Sequence, residues 1–473
     1  MAVFLRFALV LLVGLLSACV WKPDPGVAPL KVLDQGVPVL TIAADEVVVG
    51  VAVRAGYGHD PVGKEGLAWV TANMLAHGGT PAHSAEDMRT RMGQAGSLPT
   101  FRVTADFTSY HLEALQGEEP EALVARVAAM LVHPDLSDDT LTRTVQEALS
   151  DLRCDGDNLA TLALTLWMYE GHPYGHPCHG RTGTLPTITA LDVRQFWQRT
   201  YVRGALQGYV VAPAAQKDAL ALALAQGLAP LPARLAARPV PAPVASPAGR
   251  KVLLVHAPDA TTRVAIGALA VGTTDLRSAI LGWALLPSRL EAALREANLG
   301  ATVQFTLAGL LQPGWGVTAE VQDPAQIGEV IRTALETIEL YAQTGPPEAE
   351  LQTALAGALI RPPPAIRAYA EATEGLLGLQ GVFSQQANQL PALTPALVNA
   401  ELGRTLHPDD LRLVVVTPDP DAVRAALRED PAASAVQEGG EAPAAKDAGK
   451  AAPPTYRYKI DAVLTTTPEE LVR

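Results

Sequence analysis

The densest group of residues that could do chemistry lies between residues 170 and 179. It consists, in order, of Glu170, His172, His176, Cys178 and His179. Imidazoles, thiolates and carboxylates are the usual zinc ligands in proteins, so this stretch could hold a metal ion. The alternative is that HPYG, residues 172–175, forms a structural loop with extra histidines on a surface turn. The sequence favours the loop and leaves the metal site as a second interpretation.

A second segment with possible chemistry lies upstream. Residues 53–56 read VRAG, and residues 66–80 read GLAWVTANMLAHGGT. This order resembles the start of the M16 peptidase family (insulinase, pitrilysin and mitochondrial processing peptidase). There the pattern is V-R-A-G followed by G-L-A-H-x-x-E-H-M-L-F-x-G-T. The G-L-A, M-L and G-T parts are present here, with one additional glycine before the threonine.

The resemblance implies a zinc site whose ligands have been lost. In H-x-x-E-H the positions i, i+3 and i+4 share one helix face, where two imidazoles bind zinc and the glutamate takes a proton from the bound water. Here these positions are Trp69, Ala72 and Asn73. An indole is no zinc ligand, alanine carries no base, and an asparagine amide is a weak ligand. We therefore expect no zinc cofactor and no catalytic residues, which argues against an enzyme.

The family's third ligand, a glutamate on another helix before HPYG, also falls on an unsuitable residue. The usual interval leads to Ala148, which lies 24 residues before His172. The neighbouring Glu147 would project about 100° away on a helix. A shifted gap could restore Glu147, but one carboxylate would not hold zinc. The resemblance continues through Leu185–Phe196, LPTITALDVRQF.

The second half of the chain carries the resemblance further. Residues 291–302, EAALREANLGAT, are similar to the family's L-R-E-x-x-x-L-A-Y stretch, whose arginine and tyrosine contact the substrate and its developing oxyanion. The resemblance assigns substrate contacts to Arg295 and to Thr302, whose side chain is shorter than the tyrosine. The alternative for Arg295 is a solvated helix residue. Residues 344–355 and 411–416 match a later turn-helix and the closing strand of the family.

The elements that position these segments occur twice. Apolar β-branched runs at 47–53 and at 252–255 and 264–271 are each followed by alanine- and leucine-rich helices. This predicts a duplicated α+β fold. The resemblance implies two homologous domains of the M16/LuxS-like metallohydrolase type, each a mixed β-sheet packed with helices, forming a clamshell. The predicted divisions are an N-terminal domain 30–226, a Pro/Ala linker 227–249, a C-terminal domain 250–431, a low-complexity stretch 432–455 and a final segment 456–473.

The first residues indicate the compartment. Residues 1–18 have one positive charge and an apolar run too short to span a bilayer, typical of a signal peptide. Leu16–Cys19 resembles a bacterial lipobox, which predicts lipidation of Cys19, a tether at 19–29 and anchorage on the periplasmic side of the cell envelope. An ordinary secretory signal is the alternative. In that setting Cys154 and Cys178 could form a disulfide or stay as two buried thiols.

Composition excludes several functions. The net charge of −13 argues against nucleic-acid binding, and three cysteines exclude a disulfide scaffold. The resemblance implies a non-catalytic M16-type lipoprotein that pairs with an active zinc M16 peptidase, the two forming a peptide-binding or peptide-degrading chamber. The alternatives are a stand-alone peptide-binding or scaffold lipoprotein without a proteolytic role and, less favoured, a peptidase with a metal site at 172–179.

Overall fold

A computed structural model describes most of the chain. The described residues are 36–80, 83–87, 90, 100–114, 118–152, 159–235, 248–357, 362–379, 393–428 and 456–473. The predicted signal peptide, the predicted tether with Cys19, Cys154 and residues 432–455 lie outside them, so what the sequence indicates for these parts stays a prediction. No helix in the described ranges has both the length and the apolar character that crossing a membrane requires.

The first half of the chain contributes seven strands and six helices within the described residues. The strands are β1 (Val39–Ala43), β2 (Val48–Val53), β3 (Gly79–Thr80), β4 (His83–Ser84), β5 (Thr100–Val103), β6 (Thr108–Glu113) and β7 (Leu206–Ala212). The helices are α1 (Leu67–His77), α2 (Pro120–Val132), α3 (Asp138–Asp151), α4 (Leu159–Met168), α5 (Ala190–Thr200) and α6 (Lys217–Gly227).

The second half is built in the same manner. Its described strands are β8 (Arg250–His256), β9 (Arg263–Leu269), β10 (Val303–Ala308), β11 (Gly314–Glu320), β12 (Arg412–Thr417) and β13 (Ile460–Thr466). Its described helices are α7 (Leu276–Glu296), α8 (Ile327–Thr344), α9 (Glu348–Gly357), α10 (Pro364–Leu377), α11 (Pro395–Thr405), α12 (Pro420–Leu427) and α13 (Pro468–Leu471).

The two main sheets share one topology. The first sheet has the order β1-β7-β2-β6-β5, and the second has β10-β11-β9-β12-β8-β13, so its first five strands repeat the first sheet in reverse listing. In both, the corresponding pair is parallel (β1 with β7, β8 with β12) and the remaining shared pairings are antiparallel. The sixth strand, β13, has no counterpart among the described strands of the first sheet. The α+β class with two mixed sheets is confirmed.

The central strands are apolar because both faces of each sheet are covered. Every residue of β2 (VVGVAV) and of β12 (RLVVVT) is buried, as is typical of strands with helices on both sides. One face of the first sheet packs on helices of its own half, including α2 and α6, and one face of the second sheet packs on α7, α8 and α11.

The remaining face of each sheet is covered by a helix from the other half. Helix α4 lies against β9, β11 and β12 of the second sheet, where buried Leu164 contacts the sheet. Helix α10 lies against β1, β2 and β7 of the first sheet, with Ala368 and Ala372 in the contact. Each half therefore completes the core of its partner.

Composition misplaced the start of the predicted linker, 227–249. Leu228 and Leu231 are buried in the first core, and the N–H of Gly204 donates to the Arg234 carbonyl at 3.0 Å. Residues 228–235 therefore pack as part of the first half, because two leucines interrupt the proline- and alanine-rich composition and supply apolar contact. Residues 236–247 lie outside the described ranges.

Candidate functional site

Helix α1 is held in the core at its N-terminus by a buried carboxylate. The Asp60 carboxylate accepts hydrogen bonds from the N–H groups of Gly66 and Ala68, each at 2.7 Å. Gly66 has φ +101°, and a side chain there would meet the His179 carbonyl. Burial raises the pKa of Asp60, while the two N–H bonds oppose this rise. The helix is therefore fixed at its N-terminus. Residues 67–76 are all buried, so no face of the helix is left for solvent.

The three positions implied by the H-x-x-E-H resemblance lie together on α1. The Trp69 indole is 6% exposed, with its ring centroid 4.8 Å from that of His179 and 5.8 Å from that of Phe101. Ala72 is fully buried. The Asn73 amide is engaged by α3, since its nitrogen donates to Glu147 at 3.2 Å and its oxygen accepts from Thr144 at 3.3 Å.

The residue that faces Asn73 from α3 is Glu147, and the interval that leads to Ala148 is wrong by one position. Ala148 is fully buried in the first core, where it continues the inward-facing row formed by Leu141 and Thr144. Glu147 lies on the exposed side of this row and reaches Asn73 with its longer side chain. The signal was present in the sequence, because an alanine that continues a buried helical stripe points into the core.

The imidazole of His179, from the loop that contains HPYG, also lies beside these α1 residues. His179 Nε2 lies 3.9 Å from Asp151 Oδ2, and its Nδ1 lies 3.3 Å from the Cys178 sulfur. Burial lowers the pKa of His179, and the negative charges of Asp151 and Glu147 partly oppose this effect. The site thus contains an indole in tilted contact with one imidazole, at 53° between the ring planes, and an amide bonded to a carboxylate.

These residues do not fit the zinc ion that the family resemblance implies. Zinc in proteins needs three or four nitrogen, sulfur or oxygen ligands converging on one point. Within the described ranges, no group of three His, Cys, Asp or Glu residues is arranged to hold a metal ion. Trp69 occupies one ligand position, and Asn73 is bonded to the carboxylate that would be another. We therefore derive no chemical step through a metal.

The histidines of the 170–179 stretch are separated rather than gathered. The His172 ring packs edge-on against Tyr174, with centroids 4.7 Å apart. His176 is buried, with its ring nitrogens near the carbonyls of Pro177 and Tyr57 at 2.9 and 3.2 Å. His179 lies against Trp69. The geometry supports the structural loop over the relocated metal site.

The structure also reveals what this loop holds, which the sequence did not indicate. The carboxylate of Asp106, 1% exposed, accepts the Tyr174 O–H and the N–H of Leu310 from the β10–β11 turn. The Tyr169 hydroxyl lies 2.7 and 2.6 Å from the carbonyls of Ala308 and Gln312 in the same turn and donates to this pair. Burial raises the pKa of Asp106. We call these four contacts the interdomain clasp.

The remaining predicted site residues lie elsewhere. Arg295 is exposed near the C-terminal end of α7, and Thr302 is exposed just before β10. Their assignment to substrate contacts stays a prediction. Burial raises the pKa of the Cys178 thiol to about 12. Because its predicted partner Cys154 lies outside the described residues, the disulfide stays a prediction as well.

Comparison with family models identifies both halves. The model described as insulinase, peptidase family M16, matches residues 39–181, and the model described as the peptidase M16 inactive domain matches residues 187–357. No curated protein matches the sequence.

Solved structures agree in fold. The chain is similar to the peptidase M16 inactive domain from Pseudomonas fluorescens (TM-score 0.72, 21% identity, 82% of this chain and 96% of that chain). It is also similar to the first half of the periplasmic protease PqqL from Escherichia coli (TM-score 0.67, 15% identity, 89% and 97%). Against the whole of PqqL the TM-score is 0.67 at 16% identity, covering 92% of this chain and 52% of that one. The matched models together with this two-sheet fold show that the chain belongs to the M16 family of peptidases.

Proposed function

We propose that this protein is a non-catalytic M16 subunit that binds peptides and pairs with an active zinc M16 peptidase. The observation that carries the proposal is the state of the site on α1. The Trp69 ring lies against His179, and Asn73 is bonded to Glu147 and Thr144. The polar groups there are engaged with one another, so the frame of the family is retained while its water-activating chemistry is missing.

A surface suited to an extended peptide adjoins this site. Strand β5 stands at the end of the first sheet and pairs only with β6 among the described strands. An edge strand offers backbone N–H and C=O groups to which an extended peptide can add as a further strand. Phe101 of β5 contacts both Trp69 and His77 of α1, at 5.8 and 5.5 Å between ring centroids. A peptide bound along β5 would therefore lie beside the altered ligand positions.

The proposed partner is supported by the proportions of the similar proteins. This chain spans about half of PqqL and of pitrilysin, with 52% and 47% of those chains covered. An M16 unit of this size is thus half of those longer chains. A second M16 chain would supply the other half here, and the complex should bury more than ~1,200 Å² if it is stable. The predicted lipid anchor and the periplasmic description of PqqL support a place in the cell envelope.

The first test is zinc content together with proteolysis. Protein purified without the lipid anchor and dialysed against a mild chelator should retain close to no zinc and should not cleave fluorescently labelled unfolded casein. The same unfolded casein, added as a binding probe, should slow hydrogen exchange in residues 100–103. A stable zinc atom together with casein cleavage would refute the non-catalytic assignment.

The second test addresses the partner. The tagged full chain should be cross-linked in its own envelope fraction, and the captured proteins should be identified by mass spectrometry. We expect a second M16 chain that carries an intact H-x-x-E-H motif. Casein binding without any captured M16 chain, from a strictly monomeric protein, would instead support the stand-alone peptide-binding lipoprotein.

A further inference from the structure

The segment 456–473 re-enters the fold beside the point where the chain leaves the described residues. Arg428 and Tyr456 form an antiparallel β-bridge, and the Arg457 N–H donates to the Leu427 carbonyl at 2.8 Å. This segment, which we call the strap, begins on the second half and ends on the first.

The strap is firmly held at its beginning. Strand β13 pairs in parallel with β8 at six positions. The Arg250 guanidinium, 2% exposed, donates to the carbonyls of Tyr458 at 2.9 Å and Pro408 at 2.6 Å and to the Glu339 carboxylate. Ile460 is buried in the second core. A β-ladder and a buried guanidinium therefore fix this end to the second half.

The other end of the strap is held by far fewer contacts. After the short helix α13, Val472 is 5% exposed and belongs to the core cluster of the first half. Its carbonyl accepts the Thr182 N–H at 2.8 Å, with the Thr182 hydroxyl at 3.3 Å. Leu471 packs beside it against the first core and against the cluster around α4. One buried valine and one backbone hydrogen bond dominate this attachment.

Thr182 directly follows the loop that contains HPYG, and this loop reaches the altered site. Arg181 donates to the Gly175 carbonyl at 2.9 Å and so closes the loop on itself. Gly180, at φ +103°, lies against the backbone of Glu65 and Gly66, where a side chain would meet the Glu65 carbonyl. His179 lies against the Trp69 ring, with 4.8 Å between the ring centroids. The contacts thus run from Val472 through Thr182 and the loop to the N-terminus of α1.

We infer that residues 456–473 act as a conformational strap, fixed to the second half by β13 and releasable from the first half at Val472. Release of the Val472 end loosens residues 179–182, withdraws His179 from Trp69 and uncovers the site on α1, while β13 stays paired and the interdomain clasp still holds Tyr169 and Tyr174. The difference between the two attachments supports this order, because a segment opens first where buried contacts and backbone hydrogen bonds are fewest.

Hydrogen exchange measured by mass spectrometry on the full chain tests this inference. The Thr182 amide reports directly on the strap, because its partner is the Val472 carbonyl. Val472→Asp places a charge in a buried apolar position. We expect exchange at Thr182, in the adjoining loop residues 179–181 and at residues 66–70 to become about tenfold faster or more. Exchange in β8 and β13 should be unchanged, and the exposed control Glu469→Gln should match the wild type throughout.

Two results would overturn the inference. In the first, Thr182 exchanges faster while the loop and residues 66–70 do not, which would remove the coupling to the site. In the second, β8 and β13 accelerate as much as the loop, which would show that the Val472 end does not release separately. Should Val472→Asp unfold the whole chain, Val472→Ala keeps the backbone contact and is judged by the same two comparisons.

Discussion

The two sheets solve the same packing problem with side chains from different sources. On the second sheet, Gly316 lies beneath Leu164 of α4, and a methyl group at Gly316 would come within 2.9 Å of the Leu164 side chain. On the first sheet, the ring of Tyr209 from β7 covers Gly50 of β2, so α10 approaches with alanines instead. The side chain that covers the glycine comes from a helix of the other half on the second sheet, and from a neighbouring strand on the first sheet.

This difference shows that the two halves keep the same topology by filling equivalent space with side chains, and that the residues that fill it need not correspond. Close packing requires that the space above a glycine be filled, and either neighbour can fill it. Helices α1 and α7 take the same place in the two topologies but differ in how deeply they are buried. Helix α1 is buried on all sides, whereas α7 is exposed along part of its surface.

The largest change should come from rebuilding the ligand face of α1. Trp69→His, Ala72→Glu and Asn73→His together place two imidazoles opposite Glu147, the residue that the structure brings to Asn73. We expect zinc content, measured by atomic absorption after dialysis, to rise from near zero to about one atom per chain, because three ligands with water suffice for zinc. Adding Glu147→Ala should abolish this gain. Equal zinc with and without Glu147 would contradict its placement.

The exchange of helices between the halves predicts that damage to one contact spreads to both. Ala372→Asp buries an unpaired carboxylate between α10 and the first sheet, at an expected cost of about 3–5 kcal/mol in the free energy of unfolding. Urea unfolding should show one transition shifted for both halves. Ala400→Asp, at an exposed position of α11, is the matched control and should change little. Two separate transitions would mean that the halves do not depend on each other.

The packing of Leu164 over Gly316 can be tested by a double-mutant cycle. Leu164→Ala should cost about 2–5 kcal/mol in the free energy of unfolding by leaving a cavity. Gly316→Ala alone should also destabilise, because its methyl group meets Leu164. In the Leu164→Ala background the methyl group has room, so we expect a coupling of about 1–2 kcal/mol from urea unfolding. Additive effects would show that the sheet and α4 relax independently.

The interdomain clasp predicts a smaller, pH-dependent effect. Burial raises the pKa of Asp106, so its protonated form is favoured in the folded state. Its contribution is therefore fully present below the pKa of the unfolded chain and is lost as pH rises through the raised folded value. We expect Asp106→Asn to remove this loss. The urea midpoint of the variant should therefore rise relative to that of the wild type as pH increases. Exposed Asp259→Asn should show no such trend.

The sequence predicted the repeated elements well because their signals are local. The apolar run at 47–53 became β2, and the run at 264–271 became β9. The ligand positions Trp69, Ala72 and Asn73 fell on one helix because their spacing alone fixes a shared face. Each of these conclusions depends on neighbours within a few residues.

What the sequence did not predict are contacts between distant segments. No periodicity indicates that α4 covers the second sheet, because an apolar helix face is the same whichever sheet receives it. Nothing in the sequence near Asp106 indicates that its carboxylate accepts the N–H of Leu310, because the two residues are far apart in the chain. The assignment of the third ligand position to Ala148 failed for a local reason, since counting an interval ignored the buried helical row to which Ala148 belongs.

The bridge between Arg428 and Tyr456 has a practical consequence for protein engineering. Since the ends of the intervening stretch meet, its length adds little to the placement of β13, and the entropic cost of a longer loop grows only slowly. A reporter domain with neighbouring termini, inserted between residues 432 and 455, should therefore leave both sheets intact. The protein could in this way carry a fluorescent label at a fixed site on its second half.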